Sequence, residues 1–199
     1  MLFRSGPRRW RAGGEHCAIY FDARRFDELA SGTFWLEQPT DRPRGGSALN
    51  VKRLCTWVRL RDRASGRIIR VYNTHLYLTE AARRSAVGPI LAHIAAGDPE
   101  DAVLLSADFN APPSAPSRRL LGNAELTDCA VLAGQPAGKR TFHLYGIPLR
   151  SLDGVLVDGH WRVRQHSILK SKPGNVYPSD HFGVLADLDL PNSGAIAPK

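Results

Sequence analysis

Residues 53–60 alternate: Leu54, Thr56, Val58 and Leu60 fall on one side, Arg53, Cys55, Trp57 and Arg59 on the other. A period of two predicts a strand with two distinct faces. Residues 61–67, with Ser65-Gly66 as turn residues, then lead into a second apolar run at 68–73, so the pair is predicted to form a hairpin. Shorter apolar runs at 17–21, 32–36, 102–106, 152–157, 161–169 and 184–190 predict further strands. Asp22-Ala23-Arg24-Arg25 reads as a turn, and 38–46, with Pro39, Pro43, Gly45 and Gly46, as a loop. After Thr79 the period changes. Val87, Ile90, Leu91 and Ile94 mark one face of a helix, with Thr79 placed to cap it, Glu80 in its first turn and Gly97 as its stop. Gly88-Pro89 falls inside that helix, where proline costs about 3 kcal/mol, so a kink or a late start is expected. A loop at 111–116 leads into a brief second helix at 117–121. Strands outnumber helices and hairpin-length links join most of them, which predicts a mixed α and β fold with packed sheets and outer helices.

At 199 residues the chain fits one domain, and its 43% apolar content suffices for a core. No window approaches the roughly 18 apolar residues of a membrane helix. Residues 1–14 carry Arg4, Arg8, Arg9 and Arg11 without an apolar stretch behind them, and read as an irregular basic arm rather than a secretory signal. Residues 191–199 read as a tail. The net charge of +8 suits a phosphate-bearing or polyanionic partner, and equally a merely soluble surface. Cys17, Cys55 and Cys129 are scattered, form no CxxC, and are expected as buried free thiols.

Candidate chemistry gathers at the ends of apolar runs. His75 closes 71–74, Asp108 and Asn110 follow 103–105, Asp153 opens 154–157, and Asp180-His181 lies where a Pro- and Ser-containing turn meets 184–190. A histidine at a strand end can move a proton near neutral pH, although His16 and His93 show how often such a residue is structural. If the strand continued, Asp108 and Asn110 would share a side and could hold a water, a phosphate oxygen or a hard cation; the plain alternative is an Asx turn. Asp153 could fix the tautomer of a neighbouring histidine by accepting its ring N–H, and Glu15 could do the same from the start of its strand. Trp35, Trp57, Tyr77 and Tyr145 could stack a base or pack the interior.

The order Asn73-Thr74-His75-Leu76, Ser106-Ala107-Asp108-Phe109-Asn110, Ser151-Leu152-Asp153 and Tyr177-Pro178-Ser179-Asp180-His181-Phe182 resembles the endonuclease/exonuclease/phosphatase superfamily, of DNase I-like fold. The resemblance runs from about 15 to 190. Residues 33–36 and Thr141-Phe142-His143 are also similar to bacterial members. It implies an α/β (α+β) fold of two packed, mainly antiparallel sheets with outer helices, and Mg²⁺-dependent cleavage of phosphate esters, with Mn²⁺ as a substitute. Carried over by position, Asp108 would orient or deprotonate the attacking water and Asn110 would bind the phosphate or metal beside it. His181, partnered by Asp153, would contact the scissile phosphate, Asp180 would be the metal-side carboxylate, and His75 the second imidazole, paired with Glu15.

In the family pattern a strand bearing an asparagine, a helix, and a strand ending in a metal-binding glutamate precede the Glu15 position. Only 14 residues stand before Glu15, so the expectation is a member lacking this first block. Three outcomes are then expected to compete: a phosphohydrolase, a non-catalytic basic module that binds nucleic acid or another phosphate-rich partner, and a chain completed by a separate N-terminal piece. An uncovered sheet would favour self-association. The substrate stays open among nucleic acid, sugar phosphate, inositol phosphate and lipid headgroup, and so does localisation, cytoplasmic by default with secreted relatives.

Overall fold

The computed structural model of the chain describes residues 2–4, 16–37 and 52–191. In chain order they form β1 (Leu2–Arg4), β2 (Ile19–Phe21), β3 (Phe26–Trp35), β4 (Leu54–Asp62), β5 (Ile68–His75), α1 (Glu80–Ala95), β6 (Ala102–Asp108), α2 (Pro116–Asn123), β7 (Thr127–Asp128), α3 (Cys129–Leu132), β8 (Phe142–Leu144), β9 (Ile147–Arg150), β10 (Asp153–Val157), β11 (Arg162–Leu169) and β12 (Gly183–Asp189). One strand, β1, lies within the stretch expected to be irregular and pairs antiparallel with β2. The loop expected at 38–46 lies outside the described residues.

A six-stranded sheet in the order β3-β4-β5-β6-β10-β7 carries the site. Among the described strands only β5 and β6 run parallel, because α1 crosses over between them. The alternation of β4 survives in three dimensions. Cys55 and Trp57 join Tyr72, Val103, Leu105 and Leu156 in a core under α1 and α2, to which Ala86, Val87, Ile90 and Leu121 contribute. Val58 and Leu60 face the other way and meet Ile19, Phe21, Ile69 and Ala102. That second face is covered by two separate antiparallel pairs, β1-β2 and β11-β12. The result is the mixed, mainly antiparallel layered fold expected of a DNase I-like chain. Among the described residues no helix is long and apolar enough to cross a membrane.

The β4–β5 turn shows why Ser65-Gly66 works there. The Asp62 carboxylate accepts the Ala64 N–H (3.2 Å) and the Ser65 hydroxyl (3.0 Å), while Gly66 takes the left-handed conformation, φ 71°. All three cysteines are buried. His93 is structural: its ring stacks on Phe34 (4.8 Å between centroids), and its Nδ1 lies 3.1 Å from the Tyr72 hydroxyl.

The proline in α1 causes neither a late start nor a break. The carbonyl deprived of a donor by Pro89 is that of Ser85, on the exposed side, where water can serve it, while Val87 and Ile90 hold the buried side. Thr79 occupies the N-cap position without a capping side-chain bond. Glu80 has the larger role. Its Oε1 accepts the Ser117 N–H (2.7 Å), and its Oε2 accepts the Ser117 hydroxyl (3.1 Å) and the Arg83 Nη2 (2.9 Å), so one carboxylate ties α1 to the start of α2.

Burial alone would raise the Glu80 pKa, but the Ser117 and Arg83 hydrogen bonds outweigh it and hold the carboxyl below its usual 4.5. A folded-state pKa below the unfolded one stabilises the fold above the unfolded value, and the gain is lost as pH falls through the folded value. Glu80→Gln is therefore expected to cost about 1 kcal/mol at pH 7. The gap to the wild type should close progressively below pH 4.5 in urea melts. A gap that stayed constant into acid would contradict the assignment.

Candidate active site

Strand register assembles the site. His75 on β5 stands opposite Asp108 on β6, and Asp108 stands opposite Asp153 on β10. Opposed residues on neighbouring strands share a face, so the three side chains form one row across the sheet. Parity puts the row on the face covered by β2 and β12, since Ile69 and Val71 of β5 and Ala102 of β6 point to that side. His181, two residues before β12, drops onto the end of the row, with its Nδ1 2.7 Å from Asp153 Oδ2. His75 Nε2 lies 3.2 Å from Asp108 Oδ2. The partner expected for His75, Glu15, lies outside the described residues.

Asp108 ends its strand, and the alternation does not continue past it. Phe109 turns into the helix-side core, and Asn110 adopts φ 51°. The Asp108 Oδ1 accepts the Asn110 N–H (2.9 Å), which is the Asx turn, while the Asn110 Nδ2 donates to the Leu76 carbonyl (2.9 Å). The turn serves the site, because it fixes one carboxylate oxygen and leaves Oδ2 directed at His75. Asn73 and Ser106 continue the row inward: the Ser106 hydroxyl donates to Asn73 Oδ1 (3.1 Å), and Asn73 Nδ2 donates to the Ala18 carbonyl (2.9 Å).

The segment just before β8 holds the histidine–carboxylate pair in place. Thr141, buried, accepts the N–H groups of Leu152 (3.0 Å) and Asp153 (3.1 Å) on its hydroxyl oxygen. Its carbonyl accepts the Phe182 N–H (2.8 Å), and the His143 N–H donates to the Asp180 carbonyl (2.9 Å). The Phe142 ring meets the His181 ring edge-on at 5.2 Å. Behind Asp153, Gly154 leaves room for the buried guanidinium of Arg118, which lies 3.8 Å over the Phe109 ring and pairs with Asp128 at 2.8 Å. Thr141 stood out in the sequence only by its resemblance to bacterial members, and Arg118 not at all; a basic residue on a short helix carries no sign of burial.

Electrostatics concentrates on the pair. Burial draws the His181 pKa down, but the hydrogen bond and charge of Asp153, with Asp108 and Asp180 behind it, more than offset that and raise it. Burial is also the main cause of a raised pKa at Asp153, and the charge of Asp108 adds to it against the bonds from Thr141 and His181. Two half-buried carboxylates thus repel each other beside a histidine that favours its charged form. One oxygen each from Asp108 and Asp153 and one His181 nitrogen lie within 4.8 Å of one another, a candidate metal cluster. Asp180, the carboxylate expected at the metal, is exposed and lies outside this cluster.

No family model and no curated protein matches the chain. Solved structures do. An endonuclease/exonuclease/phosphatase from Bacteroides vulgatus is 26% identical over 96% of this chain and 76% of its own, with a TM-score of 0.85. A mannosyl-6-phosphatase of Bacteroides thetaiotaomicron (21% identity, 94% and 76% covered, TM-score 0.81) and the human nocturnin catalytic domain with a bound sulfate anion (21%, 96% and 72%, 0.76) share the fold. On this likeness the chain is assigned to the endonuclease/exonuclease/phosphatase superfamily.

Proposed function

We propose that the chain is a metal-dependent hydrolase of phosphate esters, acting by attack of water on phosphorus. The observation that carries this reading is the 2.7 Å Asp153–His181 pair with an Asp108 oxygen inside the same 4.8 Å cluster. Asp153 keeps the His181 proton on Nδ1 and presents Nε2 to the substrate, and the raised His181 pKa favours an imidazolium that can meet a non-bridging phosphate oxygen. Asp108 orients the attacking water and takes its proton as the bond to the leaving oxygen breaks. His75, 3.2 Å from Asp108, steadies that carboxylate. Asn110 anchors the turn and offers its amide oxygen beside it.

The donors fit a hard cation, since two carboxylates that repel each other are what a divalent ion relieves, with water completing its shell. Asp108 and Asp153 would hold Mg²⁺ or Mn²⁺, with Asp180 and Asn110 at its margin; when bound, the ion would supply positive charge to the phosphate oxygens. The test is hydrolysis of bis(4-nitrophenyl) phosphate by folded protein, stripped with EDTA and then titrated with Mg²⁺ or Mn²⁺. Turnover should appear with the cation and vanish on chelation. Folded protein with no turnover above background in excess of either ion would sink the proposal.

A further inference from the structure

Large apolar side chains crowd the water-exposed surface of one hairpin, β8–β9. Leu144 is 54% exposed, Tyr145 90%, Ile147 65% and Leu149 45%. The turn and base of the hairpin are closely specified. Tyr145 (φ 48°) and Gly146 (φ 89°) make the two-residue turn with both central residues left-handed, which matches the twist of the flanking strands. Gly146 N–H donates to His143 Nδ1 (3.1 Å), and a side chain at Gly146 would meet the Tyr177 hydroxyl at 2.5 Å. His143 is buried and stacks on Phe182 with centroids 4.1 Å apart. A clamped base with an apolar tip held in water brings no folding benefit to the tip itself.

The hairpin and the segments beside it are basic, with Asp180 the acidic residue at the hairpin's base. No aspartate or glutamate occurs between Asp128 and Asp153, or between Asp158 and Asp180, whereas these stretches hold Lys139, Arg140, Arg150, Lys170 and Lys172. Lys170 lies 5.7 Å from the Phe182 ring centre and Lys172 5.1 Å from that of Tyr177, so both stand at the hairpin's base, and Arg140 donates to the Pro148 carbonyl (3.2 Å).

We propose that this hairpin docks the protein onto an anionic lipid surface, with Leu144, Tyr145, Ile147 and Leu149 entering the boundary of the acyl chains and the flanking lysines and arginines meeting the headgroups. The mixture favours lipid over the alternatives. Three of the four tip residues are aliphatic, which partition into lipid but offer no flat face for stacking a base. A second copy of the hairpin would bring like charges together. Long basic side chains around an apolar wedge reach the phosphate level naturally. Because His143 and Phe142 bond the hairpin base to Asp180 and His181, docking would set the His181 site at the lipid–water boundary.

The test is flotation of the full chain with vesicles of phosphatidylcholine alone or mixed with phosphatidylserine. Binding should need phosphatidylserine and weaken as salt rises. Ile147→Ser, and Tyr145→Ser with it, should each weaken binding about tenfold or more per side chain. Their melting temperature should not change, since both side chains are already in water. Lys170→Gln with Lys172→Gln should weaken binding to the same vesicles. Absence of binding, binding indifferent to Ile147→Ser, or a DNA oligonucleotide retained with the same Ile147 and Tyr145 dependence would each overturn the proposal. Binding is read without turnover, so this inference and the catalytic one fail separately.

Discussion

His181→Ala should lower kcat for a phosphodiester by about 10³-fold, with KM changed little, because the imidazole acts where charge develops rather than where substrate is merely held. Asp153→Asn should cost about 10²-fold or more, since an amide facing Nδ1 no longer fixes the tautomer or stabilises the charged ring. The double substitution should cost clearly less than the product of the two single losses, as expected of two residues that share one imidazole. Stability should move the other way. Asp153 is half-buried beside the Asp108 charge, and its carboxyl is already pushed up. Replacing it with a neutral amide of the same shape removes a repulsion, so Asp153→Asn should melt no lower than the wild type. Steady-state kinetics and thermal melts on the same three variants decide it. A double variant with multiplicative losses, or an Asp153→Asn that unfolds, would break the pairing argument.

Much of this site was legible as a set of strand ends. His75, Asp108 and Asp153 each follow or open an apolar run, and the β4 alternation foretold both faces of the sheet. What one-dimensional patterning could not show is register. A parallel β5–β6 pair and an antiparallel β6–β10 pair must both land in one particular frame to align the three, and a shift of one residue would put them on opposite faces. The Asx turn was weighed and observed, while the shared side of Asp108 and Asn110 failed because the backbone turns left-handed at Asn110. Strand β3 is twice the predicted 32–36 run: its first half, Phe26 to Ala30, is half-exposed and bulged near Leu29, so its pattern is weak. Strand β7, at two residues, and helix α3, at four, are too short to carry a period. Thr141 acts through a buried hydroxyl and backbone N–H groups, chemistry that any surface threonine would mimic in sequence.

The largest expected loss of stability lies far from the site, at Asp101. This carboxylate is 3% exposed, accepts Arg59 through Nε (2.7 Å) and Nη2 (3.0 Å), and forms an ion pair with Arg70 Nε at 3.2 Å. Arg70 is itself buried and donates to the Ile94 and Asp98 carbonyls, both at 2.8 Å, so the pair closes the end of α1 against the sheet. Gly97 is the glycine that this closure requires, since a side chain there would lie 1.9 Å from Arg70 Nη1. Asp101→Ala leaves the buried guanidinium without its counter-charge, which costs about 3–5 kcal/mol, a large share of what a domain of this size has. Arg70→Met in the Asp101→Leu background should recover much of it, because an apolar pair avoids desolvating both charges. Urea denaturation of the single and double variants separates the two cases. A single variant within about 1 kcal/mol of the wild type would mean that water reaches the Arg70 head, and the lock on α1 would then rest on the two carbonyls alone.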